Sequence, residues 1–409
     1  MGVRVILKFG STQWVLAMSK QLKASVSEEI DALKDRIIKI SDAIHDEPEL
    51  GYQEYKASEL LASVLQEFDF SVVRGVAGLP TSFKATIGNG SEGPKVALLA
   101  EYDALPELGH ACGHNIIAAA AVGAAIGLAK KMRGLDGTLM VFGTPAEEGY
   151  TENAGGKVLM ADEIGKADIT LMIHPSSFYQ VNSTSLAREA FRVVFTGKAA
   201  HAGVSPEEGV NALEGVLLTF QGINALRQHI PRDVRVHGII TDGGVSPNVV
   251  PEYAAAHLYV RAPDLRILGE IVERVKNCAR GAASATGAEV EFRKTSQTYA
   301  NIKTNKVLSD IFEANLVELG VDVTGGEGVS GGSTDFGNIS QAIPSACAWV
   351  SIGEDVVLHS RESTKATASH AAHEALIIAS KALAHTAIDI FTKPDLMENV
   401  RRAFNQTPE

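Results

Sequence analysis

The stretch KVALLAEYDALPELGHACGHNIIAAAAVGAAIGLAKKM, residues 95–132, decides the predicted fold. Its apolar beginning predicts a buried strand, and its alanine-rich second half predicts a helix with Asn115 as N-cap. A loop with glycines, two histidines and one cysteine connects the two. A buried strand that leads into an apolar helix is typical of a mostly parallel sheet with helices on both faces.

The same alternation of helix and strand patterns continues on either side of this stretch. Two amphipathic helices precede it, and the apolar runs GTLMVFGT and DITLMIHP follow as strands. From Tyr299 onward the pattern resumes with a helix, a glycine-rich loop, the strands SACAWVSIG and VVLHS, and a long final helix. We therefore predict an α/β catalytic domain made of residues 27–187 and 300–409, with residues 1–26 as an N-terminal extension.

Residues 188–299 follow a different pattern. Strands and helices are predicted here in the order βαββαβ, which is that of the ferredoxin-like split motif. We therefore predict a smaller α+β domain inserted into the larger one. Motion of this domain would close a site against bulk water, so we expect it to act as a lid.

Length and composition narrow the class of protein. A chain of 409 residues exceeds what one hydrophobic core usually serves, which predicts two domains. The net charge of −12 argues against a nucleic-acid surface or a polybasic membrane contact, and no apolar run approaches the ~20 residues of a membrane span. Three scattered cysteines form no disulfide framework and the amino terminus carries no cleavage signal, so we expect a cytoplasmic protein.

The loop after the first quoted strand carries possible metal ligands. Gly109 and Gly113 argue against a helix through it, so we expect an extended path on which Cys112 and His114 point the same way. Thiolate sulfur and imidazole nitrogen are ligands that zinc prefers. Taken alone, the pattern fits equally well a buried cysteine between polar loop histidines.

Further groups of this kind follow other predicted strands. Glu147 and Glu148 stand side by side in TPAEEG, while His174 and His359 end the runs LMIH and VVLH. Singly, these residues also fit a solvated acidic pair and ordinary hydrogen-bonded histidines. Because the carboxyl ends of parallel strands share one edge of a sheet, one crevice can gather them with the loop residues. Together they can hold two metal ions that activate water, which leaves Glu147 as general base.

Eight short motifs then resemble a known enzyme family. They occur in one order between about Ile30 and Ile388: HDEPELGYQE, AEYDALP, GHACGHN, TPAEEG, GKAAHAG, GGVSPNVVP, YVRAPD and GGSTDFGN. This series resembles the metallo-aminohydrolases, which include aminoacylases, carboxypeptidase-like enzymes and auxin-conjugate hydrolases. Within that family it is most similar to the p-aminobenzoyl-glutamate hydrolase subunits and the dipeptidases that act on β-alanyl-lysine-type peptides.

The resemblance implies a role for each matching residue. Cys112 corresponds to a ligand that bridges two metal ions, Glu147 to the catalytic base and Asp103 to a residue that orients a ligand. The other implied metal ligands are His114, Glu148, His174 and His359. The implied substrate-binding residues are His201, Asn248, Arg261, Gly332 and Ser333.

The resemblance also implies cofactors and partners. Two divalent ions per chain are expected; the donor set favours zinc and leaves manganese or cobalt open. Glu101 and Asn115 stand where many relatives have His and Asp, so the number of ions is open. A homodimer through the inserted domain is implied, in which His201 often reaches the partner's site.

The hypothesis that unites these observations is metal-dependent hydrolysis of the amide bond of an N-acyl amino acid or dipeptide, with Glu147 as the proton carrier. Two alternatives remain open. In one, Cys112 is a thiol nucleophile activated by His110 or His114. In the other, the protein is a non-catalytic binding subunit stabilised by metal.

Overall fold

A computed structural model describes residues 12–90, 92–324, 328–329 and 331–407. Helices are numbered α1 to α13 along these residues. Their bounds are α1 Thr12–Ala32, α2 Lys34–Asp46, α3 Tyr55–Glu67, α4 His114–Met132, α5 Gly156–Leu159, α6 Ala161–Ile164, α7 Ala212–Leu226, α8 Leu265–Thr286, α9 Lys306–Glu318, α10 Phe336–Ala342, α11 Arg361–Ala366, α12 His370–Thr392 and α13 Pro394–Gln406.

Strands are numbered in the same way. Their bounds are β1 Ser71–Arg74, β2 Phe83–Gly88, β3 Lys95–Glu101, β4 Thr138–Thr144, β5 Ile169–Ser176, β6 Ser183–Thr184, β7 Ala187–Thr196, β8 Arg235–Asp242, β9 Tyr253–Ala262, β10 Glu289–Lys294, β11 Gly328–Val329 and β12 Ser345–Ser351. Six of them form one sheet in the order β1-β2-β4-β3-β5-β12. Strands β4, β3, β5 and β12 are parallel, and β1 and β2 add an antiparallel edge, so the prediction of a mainly parallel sheet with helices is confirmed.

The centre of this sheet is fully apolar, as the opening stretch of sequence predicts. Every residue of β3 after Lys95 is buried, and α4 is buried along nearly its whole length between the sheet and α12. By length and composition, α4 and α12 are each long and apolar enough to cross a membrane. In each, 89% of the most apolar window is buried inside the protein, as in the core helices of a globular domain.

The amino-terminal segment corrects one expectation. Residues 1–26 are predicted as an N-terminal extension before the catalytic domain, which begins at residue 27; from Thr12 onward the chain forms α1, which packs against α4 and α12. Val26 is fully buried, and the Nζ of Lys23 donates to Asn315 Oδ1 at 2.6 Å and to Asp389 Oδ2 at 2.7 Å. Residues 1–11 lie outside the described residues.

A second sheet has its own core. Its order is β10-β7-β9-β8, all neighbouring pairs are antiparallel, and α7 and α8 cover one face. Along the chain these elements come in the order β7-α7-β8-β9-α8-β10. The other face meets the first domain, since Tyr259 Oη donates to the Gly149 carbonyl at 3.2 Å and Arg261 Nη1 donates to Ser333 Oγ at 2.8 Å. The predicted lid and dimerisation roles of this unit stay predictions.

Candidate metal centre and active site

The loop before α4 is a series of tight turns rather than the extended path that we expected. Gly109 and Gly113 have φ angles of +67° and +81°, a left-handed conformation that favours glycine and reverses the chain. His114 is therefore the first residue of α4. Asn115 does not cap the helix as predicted; its Nδ2 donates instead to Ser41 Oγ and to the Thr367 carbonyl.

Despite the different path, the predicted metal ligands come together. Donor atoms of Cys112, His114 and His174 all lie within 4.8 Å of one another, and so do those of Cys112, Glu148 and His359. The Sγ of Cys112 is 3.6 Å from His174 Nε2, and Glu148 Oε1 is 3.4 Å from His359 Nε2. Two groups of three ligands thus share one thiol.

Hydrogen bonds behind this centre fix the direction of its ligands. Asp103 Oδ1 is 3.0 Å from His114 Nδ1, and Asp103 Oδ2 accepts from the Glu148 backbone N–H at 2.9 Å. His174 Nδ1 donates to the Pro175 carbonyl at 2.9 Å. Because the Nδ1 atoms are engaged, the Nε2 atoms of both histidines face the centre, which is the usual arrangement around a metal.

The donor set fits a divalent cation. Within the part of the chain that the structure describes, His114 Nε2 and Glu148 Oε1 are buried and form no hydrogen bond; their nearest charged neighbours are Glu101 Oε2 at 3.3 Å and His359 Nε2 at 3.4 Å. Buried polar atoms of this kind need a partner. One thiol, three imidazoles and one carboxylate are ligands that suit zinc and similar borderline cations.

Glu147 lies beside these ligands. It lines a pocket of about 280 Å³ together with Cys112, Glu148, His174 and His359. Its carbonyl accepts a hydrogen bond from Tyr299 Oη at 2.5 Å, which anchors the backbone of the pair of glutamates. Burial, followed by the charges of Glu101 and Glu148, raises the pKa of Glu147 well above its usual value.

His359 corrects a further expectation. It was predicted to end a strand of the sheet, but the segment VVLHS forms no strand and the last strand, β12, ends earlier at Ser351. His359 has a φ angle of +64°, and its backbone N–H donates to the Ala111 carbonyl at 3.1 Å. Left-handed backbone at a residue other than glycine is strained and clusters at functional sites. This hydrogen bond to Ala111 holds His359 next to the loop that carries Cys112.

A buried ion network behind the centre was not predicted from the sequence. The Nζ of Lys157 is 2.5 Å from Glu101 Oε1 and 2.5 Å from Asp335 Oδ1, and all three side chains are fully buried. Glu101 Oε2 in turn is 3.3 Å from His114 Nε2. In the sequence, Glu101 is notable only as a departure from the family pattern. Lys157 and Asp335 are 178 positions apart, and no motif in the chain links them.

The predicted substrate residues divide into two groups. Arg261, Gly332 and Ser333 line the pocket with Glu147. His201 and Asn248 do not line it; both are exposed and lie side by side, where the Ala202 N–H donates to the Asn248 carbonyl at 3.0 Å. One chain alone therefore brings only the first group to the pocket.

Comparison with known proteins decides the family. The model of peptidase family M20/M25/M40 matches residues 97–389. The chain belongs to this family. Like the M20 hydrolases to which it is similar, it is a metal-dependent enzyme that hydrolyses amide bonds. The alternatives of a thiol hydrolase and of a non-catalytic protein are set aside by this membership.

Curated M20 relatives cover nearly the whole chain. It is 38% identical to an Xaa-Arg dipeptidase of Mus musculus, over 94% of this chain and 92% of the relative. It is 30% identical to one of the subunits of p-aminobenzoyl-glutamate hydrolase from Escherichia coli K12, over 94% of this chain and 95% of the relative.

Solved M20 structures share the fold. An aminobenzoyl-glutamate utilization protein from Klebsiella pneumoniae superimposes with a TM-score of 0.73 at 21% identity, covering 89% of this chain and 98% of that protein. A Bacillus subtilis protein described as a dinuclear metal-binding peptidase of family M20 gives a TM-score of 0.65 at 22% identity, covering 88% of this chain and 99% of that protein.

Proposed function

We propose that this M20 hydrolase cleaves the amide bond of N-acyl amino acids or dipeptides at the pocket around Glu147 and releases an amino acid. One observation carries the proposal: two groups of metal ligands share Cys112, and four of these five ligands line one pocket with Glu147 and Arg261. An arginine in such a pocket suits the carboxylate of an amino acid.

The two groups of ligands support two divalent ions. Cys112, His114 and His174 would hold one ion, and Cys112, Glu148 and His359 the other. When bound, such ions supply Lewis-acid polarisation of a carbonyl oxygen and lower the pKa of water. The thiol and three imidazoles favour zinc over manganese or cobalt.

The chain's own residues then position the substrate and move the proton. Glu147 accepts a proton from the attacking water and passes it to the nitrogen that departs from the acyl group. Arg261, held by Ser333 Oγ at 2.8 Å, binds the carboxylate beside that nitrogen. Asp103 keeps His114 and the backbone of Glu148 in place and does not itself line the pocket.

Replacement of Glu147 by Gln tests the proposal. The Glu147→Gln variant keeps the shape of the site but cannot take up a proton, so we expect unchanged metal content and a loss of kcat of at least about 100-fold. Glu148→Gln is the matched control, because it should lose metal as well as activity. Metal content is measured by elemental analysis. Normal turnover by Glu147→Gln would refute the assignment of the base.

We also propose that the protein is a homodimer. Strand β8 is at the edge of the second sheet, and an open edge is a ready surface for pairing. Apolar side chains are exposed along this edge, on α7 and in the neighbouring loops, and such clusters mark protein interfaces. They are Val204, Leu217, Leu218, Ile239, Ile240, Val245 and Val249.

His201 and Asn248 lie in this same region, so the dimer we propose would bring them to the partner's pocket.

We further propose a cytoplasmic location. The support for it is chemical, since Cys112, Cys278 and Cys347 are all free thiols and cytoplasmic proteins keep their thiols reduced.

A further inference from the structure

The first of the eight motifs, HDEPELGYQE, has no part in the site described so far. It covers residues 45–54 and connects α2 to α3. Its last residue, Glu54, directly precedes α3 and is fully buried, but its side chain does not cap the helix. Glu49 does so instead, since its carboxylate accepts from the backbone N–H groups of Lys56 and Ala57 at 2.9 and 3.0 Å. A buried carboxyl group is unfavourable without polar partners, so the contacts of Glu54 show what it does.

Glu54 reaches the turn that leads into the two glutamates of the site. Its Oε1 accepts a hydrogen bond from the Ala146 N–H at 2.9 Å. Ala146 is fully buried and has a φ angle of +54°, a left-handed conformation that is strained for a residue with a side chain. The Ala146 carbonyl accepts from the Gly155 N–H at 2.8 Å, and a Cβ on Gly51 would lie 2.8 Å from the Ala146 Cβ. The strained turn is therefore held on three sides.

Three side chains from separate segments hold the backbone around the proposed base. Glu54 binds the N–H before Glu147, Tyr299 Oη donates to the carbonyl of Glu147 at 2.5 Å, and Asp103 accepts from the N–H of Glu148 at 2.9 Å. Tyr299 lines the pocket, whereas Glu54 and Asp103 do not. Because the metal ligand Glu148 has its own anchor in Asp103, loss of the contact with Glu54 should displace Glu147 more than Glu148.

We propose that Glu54 is a positioning residue for the proposed base: its hydrogen bond to Ala146 keeps the turn left-handed and thereby directs the Glu147 carboxylate into the pocket. This role rests on the proposed function and adds to it a residue that acts from behind the pocket, without touching substrate. It requires an acceptor atom at the position of Oε1, and it does not require a negative charge there.

Two substitutions separate reach from charge. Glu54→Gln keeps the length and offers an amide oxygen to Ala146, and Thr81 Oγ1, 2.8 Å from Oε2, can accept from the amide because a hydroxyl both donates and accepts. Burial, followed by the charge of Asp103, raises the pKa of Glu54 to about 8, so a neutral amide resembles the protonated acid. Glu54→Asp keeps the acid but is one methylene shorter, which withdraws the acceptor from Ala146.

Kinetics of the metal-loaded enzyme give opposite expectations for the two variants. Because a small displacement of a positioned group is costly for the reaction, Glu54→Asp should lower kcat by about 10- to 100-fold, with metal content and KM changed less than about twofold. Glu54→Gln should stay within about threefold of the wild type. If Glu54→Asp does not fold, Glu54→Met takes its place with the same expectation. Wild-type kcat in the variant without the acceptor, or an impaired Gln with an active Asp, would overturn the proposal.

Thr81→Val is the matched control for a purely structural role. It removes the other hydrogen bond of Glu54 from the same buried cluster and leaves Oε1 facing Ala146. We expect a lower midpoint of urea unfolding and a kcat within about threefold of the wild type. An equal loss of kcat in Thr81→Val and Glu54→Asp would assign the effect to the cluster as a whole and would refute positioning through Ala146.

Hydrogen exchange separates this role from the proposed function. Mass spectrometry of a peptide that covers residues 144–149, released from the full chain after exchange, reports on the Ala146 amide without turnover. One amide should exchange faster in Glu54→Asp and stay protected in Glu54→Gln and Thr81→Val. That pattern supports the contact even if the wild type hydrolyses none of the amides tested, a result that would count against the proposed function alone. Unchanged protection in Glu54→Asp would overturn the role of Glu54 even in an active enzyme.

Discussion

Lys157 is a single buried side chain that neutralises two buried carboxylates. Its ammonium is the counter-charge for Glu101 and Asp335, each 2.5 Å away and fully buried. Burial would lower the pKa of Lys157, but the charges of Asp335 and Glu101 outweigh it and raise the pKa. Through Glu101, which is 3.3 Å from His114 Nε2, the network borders the metal ligands.

Loss of this ammonium should be strongly destabilising. Lys157→Met leaves two carboxylates buried without a counter-charge, and we expect the free energy of unfolding to fall by about 3–5 kcal/mol. Urea unfolding measures the change. Lys166→Met is the control, because Lys166 is exposed and its ion pair with Glu163 should contribute less than about 1 kcal/mol. Similar midpoints for the two variants would contradict the role given to Lys157.

At the scale of elements, helix packing depends on the small residues of α4. A Cβ at Gly127 would overlap Cγ1 of Ile30 on α1, and a Cβ at Gly123 would lie 2.6 Å from Ser380 Oγ on α12. These glycines let three helices approach closely. The alanine-rich pattern indicates a buried helix, but it does not show which of its neighbours requires a glycine.

A pair of glycine substitutions tests this close approach. We expect Gly127→Ala to lower the free energy of unfolding by about 1–3 kcal/mol, because Ile30 has to move. Gly281→Ala on α8 is the matched control, since its Cβ would meet nothing within 4 Å. Alanine is the better helix former, so this control should gain about 0.5–1 kcal/mol. Thermal and urea unfolding measure the change in the free energy of unfolding for both variants. Equal changes for Gly127→Ala and Gly281→Ala would refute the packing argument.

His385 on α12 makes the contact with α1 sensitive to acid. Its Nε2 is 2.9 Å from Ser27 Oγ, and burial followed by the charge of Lys23 lowers the pKa of His385 to about 4. The unfolded chain, with an ordinary pKa near 6.5, takes up a proton before the folded protein does. The free energy of unfolding therefore falls as the pH decreases from about 6.5 to about 4.

Replacing His385 should flatten that dependence. Between pH 7 and pH 4 we expect the wild type to lose about 3 kcal/mol of stability through this group, and His385→Gln to lose correspondingly less over the same range. Urea unfolding at several pH values gives the slope. His370→Gln serves as control, because His370 is on the same helix with an exposed side chain and should leave the slope unchanged. An unaltered slope in His385→Gln would refute the assignment.

For the whole molecule, the homodimer that we propose predicts complementation between two inactive variants. His201→Ala lacks the residue that we expect to act in the partner's site, and Glu147→Gln lacks the base. A mixed dimer has one site with both residues intact, so co-expression should recover about a quarter to a half of wild-type activity. Light scattering measures the assembly. A monomer, or no recovery in a verified mixed dimer, would refute action across subunits.

The identity of the metal ligands could be predicted from the sequence, but the backbone conformation of the segments that carry them could not. Strand periodicity and the positions of Cys112, Glu148 and His174 after apolar runs indicated one edge of one sheet, and there they meet. His359 was predicted on a strand and instead reaches the centre from a loop with left-handed backbone, where its N–H donates to the Ala111 carbonyl; a contact between segments so far apart leaves no local pattern in the sequence. Pairs such as Lys157 with Asp335 join distant segments, and no local pattern encodes such a contact.

The position of β12 has a consequence for how the protein is made. This strand pairs with β5 across 175 positions, and α12, which covers α1 and α4, follows still later. While the chain leaves the ribosome, the edge of β5 and the apolar side of α1 stay uncovered until β12 and α12 have been translated. The nascent chain thus exposes apolar surface, to which chaperones can bind, during much of its synthesis. The metal ligands come together only after His359 has been translated.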